Sequence, residues 1–190
     1  MPSLLITTSR RTSGRVRSFT HDLMTVLPNS ERFNRGGMSH GELVARTKQS
    51  GARALIIVTS SRGNPRELEI LSPAGDTILS ALIESMQLRR EVLASQGPRI
   101  NRLREIVVSS SPGRQTEQIA DLMSSLLETP LNRSGKVVQV GGEGANRAIM
   151  RFEDLPQDRL IWTCYHASDG VEIGPRVRIF SVRRHMSNEP

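Results

Sequence analysis

The chain has 190 residues and a formal net charge of +7, enough length to bury a sizeable core as one domain or as two small halves packed together. A single cysteine, Cys164, excludes a disulfide framework and a multi-cysteine zinc site. No stretch approaches the roughly 20 apolar residues that span a bilayer, so a soluble, cytoplasmic protein is expected.

All but two of the 26 cationic side chains are arginine, the exceptions being Lys48 and Lys136. A planar guanidinium fork suits phosphate, which leans toward nucleic acid. A genome that favours arginine raises the same ratio, but does not explain where the arginines cluster. Aromatic residues make up only 3% of the chain, too few for a surface that reads bases by successive stacking.

In chain order, residues 4–8 (LLITT) read as a strand. Residues 15–27 read as a helix with Val16, Phe19, Leu23 and Val26 on one face, stopped by Pro28 and Asn29. Ser39 with Glu42 three residues on forms a capping box that opens a second helix, and Gly51 closes it. ALIIVTS (54–60) is a continuous apolar strand that needs cover on both faces. RGNP (62–65) then turns into LEIL (68–71). Asp76 is expected to cap a helix to about Arg89 with Ile78, Leu79, Leu82, Ile83 and Met86 inward. The second half gives a strand at 105–110, a helix at 115–127, and strands near 136–140, 147–152, 160–165 and 177–182. The expected fold class is α/β.

The chain is self-similar. LLITTS (4–9) matches IVVSSS (106–111), DLMTVL (22–27) matches DLMSSLL (121–127), and FNRGG (33–37) matches LNRSG (131–135). An internal duplication of a strand, turn and helix follows. Residues 1–95 form an N-terminal half and 104–190 a C-terminal half.

The two copies differ in charge. Residues 4–37 carry Arg10, Arg11, Arg15, Arg17, Arg32 and Arg35 against Asp22 and Glu31. Residues 106–135 carry Arg114 and Arg133 against Glu117, Asp121 and Glu128. The basic turn is therefore not needed to fold the unit. Arginine at a helix N-terminus opposes the helix dipole by a few tenths of a kcal/mol unless an anion binds there. The competing account is a solvated loop whose arginines pair with acids elsewhere. Two further basic runs, Arg89 to Arg104 at the junction and Arg176 to Arg184 near the end, fit either RNA contact or a charged sheet edge.

Signals for catalysis are weak. GGEGANR (141–147) lacks the third glycine of a dinucleotide loop and reads as a hairpin turn. His21, His40, His166 and His185 lack metal-ligand spacing, and adjacent His21 and Asp22 do not share a helix face. No catalytic residue, metal or cofactor is assigned. Cys164 is expected to be a buried small side chain.

TTSRRTSGRVRSFTHDLMTVLPNS (7–30) resembles the opening motif of Brix domain proteins, and VEIGPRVRIFSV (171–182) resembles their closing signature. Residues 1–190 would then be one Brix domain. The resemblance implies two tandem, similar α/β halves, each like the anticodon-binding domain of class IIa aminoacyl-tRNA synthetases. It also implies a non-enzymatic, RNA-binding ribosome biogenesis factor that binds pre-rRNA and guide RNA and meets ribosome-assembly proteins, with a monomer favoured. The motifs fall on Ser9, Arg10, Arg11, Ser13, Arg15 and Arg17 at one end and on Gly174, Pro175 and Arg176 at the other. Arg35 and Arg178 complete the expected RNA-binding set. The alternative is a scaffold whose basic surfaces dock acidic partner proteins.

Overall fold

A computed structural model describes residues 1–94, 97–137, 144 and 146–185. The strands are β1 (Leu4–Thr8), β2 (Ser30–Arg32), β3 (Ala54–Ser61), β4 (Asn64–Leu71), β5 (Thr77–Gln87), β6 (Arg102–Val107), β7 (Leu131–Asn132), β8 (Arg147–Leu155), β9 (Arg159–His166) and β10 (Arg176–Arg184). The helices are α1 (Gly14–Val26), α2 (His40–Ser50), the single turn α3 (Arg89–Val92) and α4 (Arg114–Leu127).

All these strands join one sheet in the order β2-β1-β3-β4-β5-β10-β9-β8-β6-β7. β1 pairs parallel with β2 and β3, and β6 pairs parallel with β7 and β8. The remaining pairs are antiparallel, including the β5–β10 seam where the two halves meet. On either side of that seam the strands run outward in corresponding order, each half beginning with a strand, a helix and a parallel return.

Strand alternation sends successive side chains to opposite faces. Leu4 and Ile6 enter a core shared with Val16, Phe19 and Leu23 of α1 and with Ile119 and Met123 of α4. Leu5, Leu55 and Ile57 enter a smaller core under α2 with Phe33 and Leu43. The apolar run of β3 is thus covered on both faces by different helices. Phe19 is fully buried, and a side chain of that kind contributes about 1.5–3 kcal/mol.

The Ser39–Glu42 capping box forms as the sequence requires, and Gly51 ends α2 in the left-handed conformation at φ 70°. The helix expected from Asp76 to Arg89 is instead the strand β5. Its Leu79, Ala81 and Ile83 alternate into the core, half-buried Ile78 packs against that same core at a break in the β4–β5 register, and Leu82 is half-buried on the other face. A strand apolar on both faces supplies residues at helical spacings too, and pairing with β4 on one side and β10 on the other decides the outcome. Asp76 is no helix cap: it sits in the β4–β5 turn, where its amide donates to Ser72 Oγ at 3.2 Å.

The helices α1 and α4 match in burial one hundred residues apart: Val16 with Thr116, Phe19 with Ile119, Leu23 with Met123, Val26 with Leu126. The recurring Asp-Leu-Met letters are displaced from that match by one residue, so Asp22 is buried where Asp121 is half-buried. Most of the strand expected at 136–140, and most of the GGEGANR turn, lie outside the described residues.

Candidate nucleic-acid interface

Ser13, extended at φ −118° and ψ 169°, caps α1 by accepting the Val16 amide at 3.2 Å, and its hydroxyl donates to the Gly63 carbonyl at 2.6 Å. Ser9 Oγ and Ser60 Oγ both donate to the Arg11 carbonyl, at 2.7 and 2.9 Å. The hydroxyl residues therefore build the turn and hold its backbone. The first turn of α1 carries no acid, and neither does β3 beside it.

The N-terminus of α4 is completed differently. Gly113 occupies the cap position and has no side chain to offer. The carboxylate of Asp154, on β8, accepts the Gly113 amide at 3.0 Å and the Thr116 hydroxyl at 2.6 Å. One helix start holds a built-in anion and the other is surrounded by arginine.

Those arginines do not act as one group. Arg15 forms a bidentate pair with Glu91 at 2.6 and 2.9 Å and also donates to the Met86 carbonyl at 3.2 Å. The hydrogen bond to Glu91 raises the pKa of Arg15 and lowers that of Glu91. Arg10 and Arg35 converge on one carbonyl, that of Met38, at 3.4 and 3.1 Å. Burial, and then the nearby Arg10 charge, lower the pKa of Arg35. Arg11 and Arg17 are exposed, and their side chains have no hydrogen bond or ion pair among the described residues.

At the other end of the set, Val177 and Ile179 enter the core under α1 and α4, so Arg176 and Arg178 face the opposite side of the sheet. Arg176 is held by both oxygens of Glu172 and by Gln87 Oε1 at 3.1 Å. Its pKa is raised and that of Glu172 lowered by that pairing. Arg178 is exposed and has no partner among the described residues. The expected set is split between two faces, and for Arg15 and Arg176 pairing with acids accounts for the side chain.

A concavity of about 410 Å³ beside α1 was not visible in the sequence. It is lined by Arg17, His21 and Asp22 of α1, Arg32 of β2, and Leu88 and Arg90 around α3. His21 and Asp22, expected on different faces, both border it. Asp22 Oδ2 accepts the Arg89 amide at 2.8 Å, and burial raises its pKa against the opposing pull of Arg89, His21 and Arg90. Arg89 is itself buried and donates to the Ile173 carbonyl at 3.2 Å, which ties the junction to the C-terminal half. No single stretch of sequence carries Arg17, Arg32 and Arg90 together, so only the fold assembles them.

Burial pushes the Cys164 thiol up to about 12, as befits an inert core side chain. Among the described residues no group of three or more His, Cys, Asp or Glu is placed to hold a metal, and no helix is long and apolar enough to cross a membrane.

No family model matches the chain. It is 38% identical over 90 residues to a probable Brix domain-containing ribosomal biogenesis protein of Aeropyrum pernix, covering 45% of this chain and 50% of that one. A protein of the same description from Methanopyrus kandleri is 28% identical over 177 residues, covering 90% and 89%. The U3 small nucleolar ribonucleoprotein protein IMP4 of Homo sapiens is 28% identical over 138 residues, covering 72% and 47%. The match thus spans about half the length of the first and third of these relatives.

The crystal structure of a probable ribosomal biogenesis protein from Aeropyrum pernix superposes with a TM-score of 0.71 at 27% identity, covering 94% and 96% of the two chains. That of Mil, an archaeal Imp4-like protein, superposes at 0.64 with 20% identity, covering 95% and 99%, and shares the fold. The mixed α/β architecture and the sequence matches agree: the chain is a relative of the archaeal Brix domain-containing ribosomal biogenesis proteins and of the Imp4-like proteins.

Proposed function

We propose that the chain is a non-enzymatic RNA-binding ribosome biogenesis factor that binds pre-rRNA and guide RNA through the basic surface around the start of α1. The observation that carries this reading is the contrast between the two helix starts. Asp154 completes α4, whereas at the start of α1 the Glu91 carboxylate is taken up by Arg15, and Arg11 and Arg17 have no partner among the described residues. Backbone amides and a helix dipole favour an anion at such a place, and free arginines favour phosphate. Two of the relatives are named as probable ribosomal biogenesis proteins and a third as a small nucleolar ribonucleoprotein protein, which supplies the context.

The same reading treats residues 1–190 as one Brix domain built by duplication, with halves 1–95 and 104–190, each like the anticodon-binding domain of class IIa aminoacyl-tRNA synthetases. The corresponding strand orders on either side of the β5–β10 seam and the matched burial of α1 and α4 support it. Contact with assembly proteins falls to the opposite face, where Arg178 lies exposed, or to the exposed Phe180 of β10. Pull-down from cells before and after thorough nuclease treatment tests the reading. An RNA-tethered factor loses its associated ribosomal components on treatment, whereas a scaffold for acidic proteins keeps them.

A further inference from the structure

We propose that the concavity beside α1 is a ribonucleotide site, in which Arg17, Arg32 and Arg90 hold a backbone phosphate and Asp22 accepts a hydrogen bond from the ribose 2′-hydroxyl. The inference rests on the RNA-binding reading and adds to it a place and a sugar preference.

Three elements that are distant in sequence each contribute one arginine to this cavity. Arg17 and Arg90 are exposed and have no partner among the described residues. Arg32 is oriented by Thr20 Oγ1 and Asn34 Oδ1, each at 3.0 Å, neither of which neutralises its charge. Three arginines against the single Asp22 carboxylate leave an excess of positive charge, and a phosphate relieves the repulsion through charge-assisted hydrogen bonds.

Asp22 is what makes the site specific. A carboxylate beside three arginines repels a phosphate placed against it, so a bare phosphate satisfies only part of the lining. One Asp22 oxygen is held by the Arg89 amide, which fixes the side chain, and the other has no donor among the described residues. An ionised carboxylate only accepts, so its complement is a hydroxyl donor. A ribonucleotide carries a phosphate and such a donor a few bonds apart, and the 2′-hydroxyl is the group that separates RNA from DNA. The cavity, at about 410 Å³, is within the range of small-ligand sites.

The test measures fluorescence anisotropy of the full chain with three labelled 12-nucleotide probes of uridine: ribose, 2′-deoxy and 2′-O-methyl. The wild-type protein is expected to bind the ribose probe on the order of tenfold more tightly than either other probe, as for one hydrogen bond to a charged group. R17A/R32A/R90A should weaken all three probes together and keep their ratio. D22N, which keeps an acceptor for the Arg89 amide, should remove the ribose preference and bind the deoxy probe at least as tightly as wild type, because the carboxylate that repels phosphate is gone. If D22N fails to fold, the comparison of the three probes on the wild-type protein decides. Equal wild-type affinity for all three, or a triple variant that binds like wild type, overturns the site while leaving RNA binding elsewhere intact. Absence of binding to every probe overturns the RNA-binding reading and this inference with it.

Discussion

Arg15 at the start of α1 and Glu91 in α3 are 76 residues apart in sequence and joined by two hydrogen bonds of 2.6 and 2.9 Å. The pair docks the junction segment against the first helix, and it removes from the basic turn an arginine that the sequence presents as free. Both side chains are about one-third exposed, 34% each, so solvent screens the pair and its loss should cost at most about 1 kcal/mol. The folded pKa of Glu91 lies below its ordinary value, so its contribution is present above the carboxylate range and lost as pH falls through the folded pKa. E91Q should therefore lower the melting temperature at neutral pH and converge on wild type in acid, as differential scanning calorimetry at both pH values would show.

Asp154 closes the start of α4 from another strand. D154A leaves the Gly113 amide and the Thr116 hydroxyl without their acceptor and should destabilise the protein by about 1–2 kcal/mol, the usual cost of a lost cap. Urea denaturation gives that value. RNA affinity should be unchanged, because Asp154 does not line the basic surface.

Ser13 and Ser9 are read as builders of the turn. S13A removes the acceptor for the Val16 amide and a donor to Gly63, with an expected cost of roughly 1 kcal/mol. Hydrogen exchange of the first α1 amides should accelerate in S13A, while those of α2, capped by its own Ser39, stay protected.

Arg89 is nearly fully buried and reaches across to Ile173. R89A removes buried methylenes and leaves the Ile173 carbonyl without this donor, a combination expected to cost about 2–4 kcal/mol. Equilibrium unfolding in urea would register it as a drop in midpoint at unchanged slope.

The legible parts of the fold are those fixed by local chemistry. The Ser39–Glu42 box and Gly51 specify α2 through groups a few residues apart. The unbroken run in β3 announces cover on both faces. β5 was illegible because Ile78, Leu79, Leu82 and Ile83 satisfy a helical spacing and a two-faced strand equally, and only its neighbours β4 and β10 choose. The same limit applies to the site. The charge contrast between the two turns is visible in sequence, but that Arg15 turns to Glu91 while Arg17 stays free, beside Arg32 and Arg90, depends on where α3 and β2 are packed.

The most direct test of the RNA-binding account compares two variants for the salt dependence of binding to single-stranded RNA. R10A/R11A/R17A removes cations that form no ion pair among the described residues, and R15A/R176A removes two that are paired with Glu91 and Glu172. The account predicts that the first loses affinity and flattens the plot of log affinity against log salt by about 0.7 per lost phosphate contact, while the second keeps the wild-type slope. Wild-type affinity and slope in R10A/R11A/R17A would contradict it.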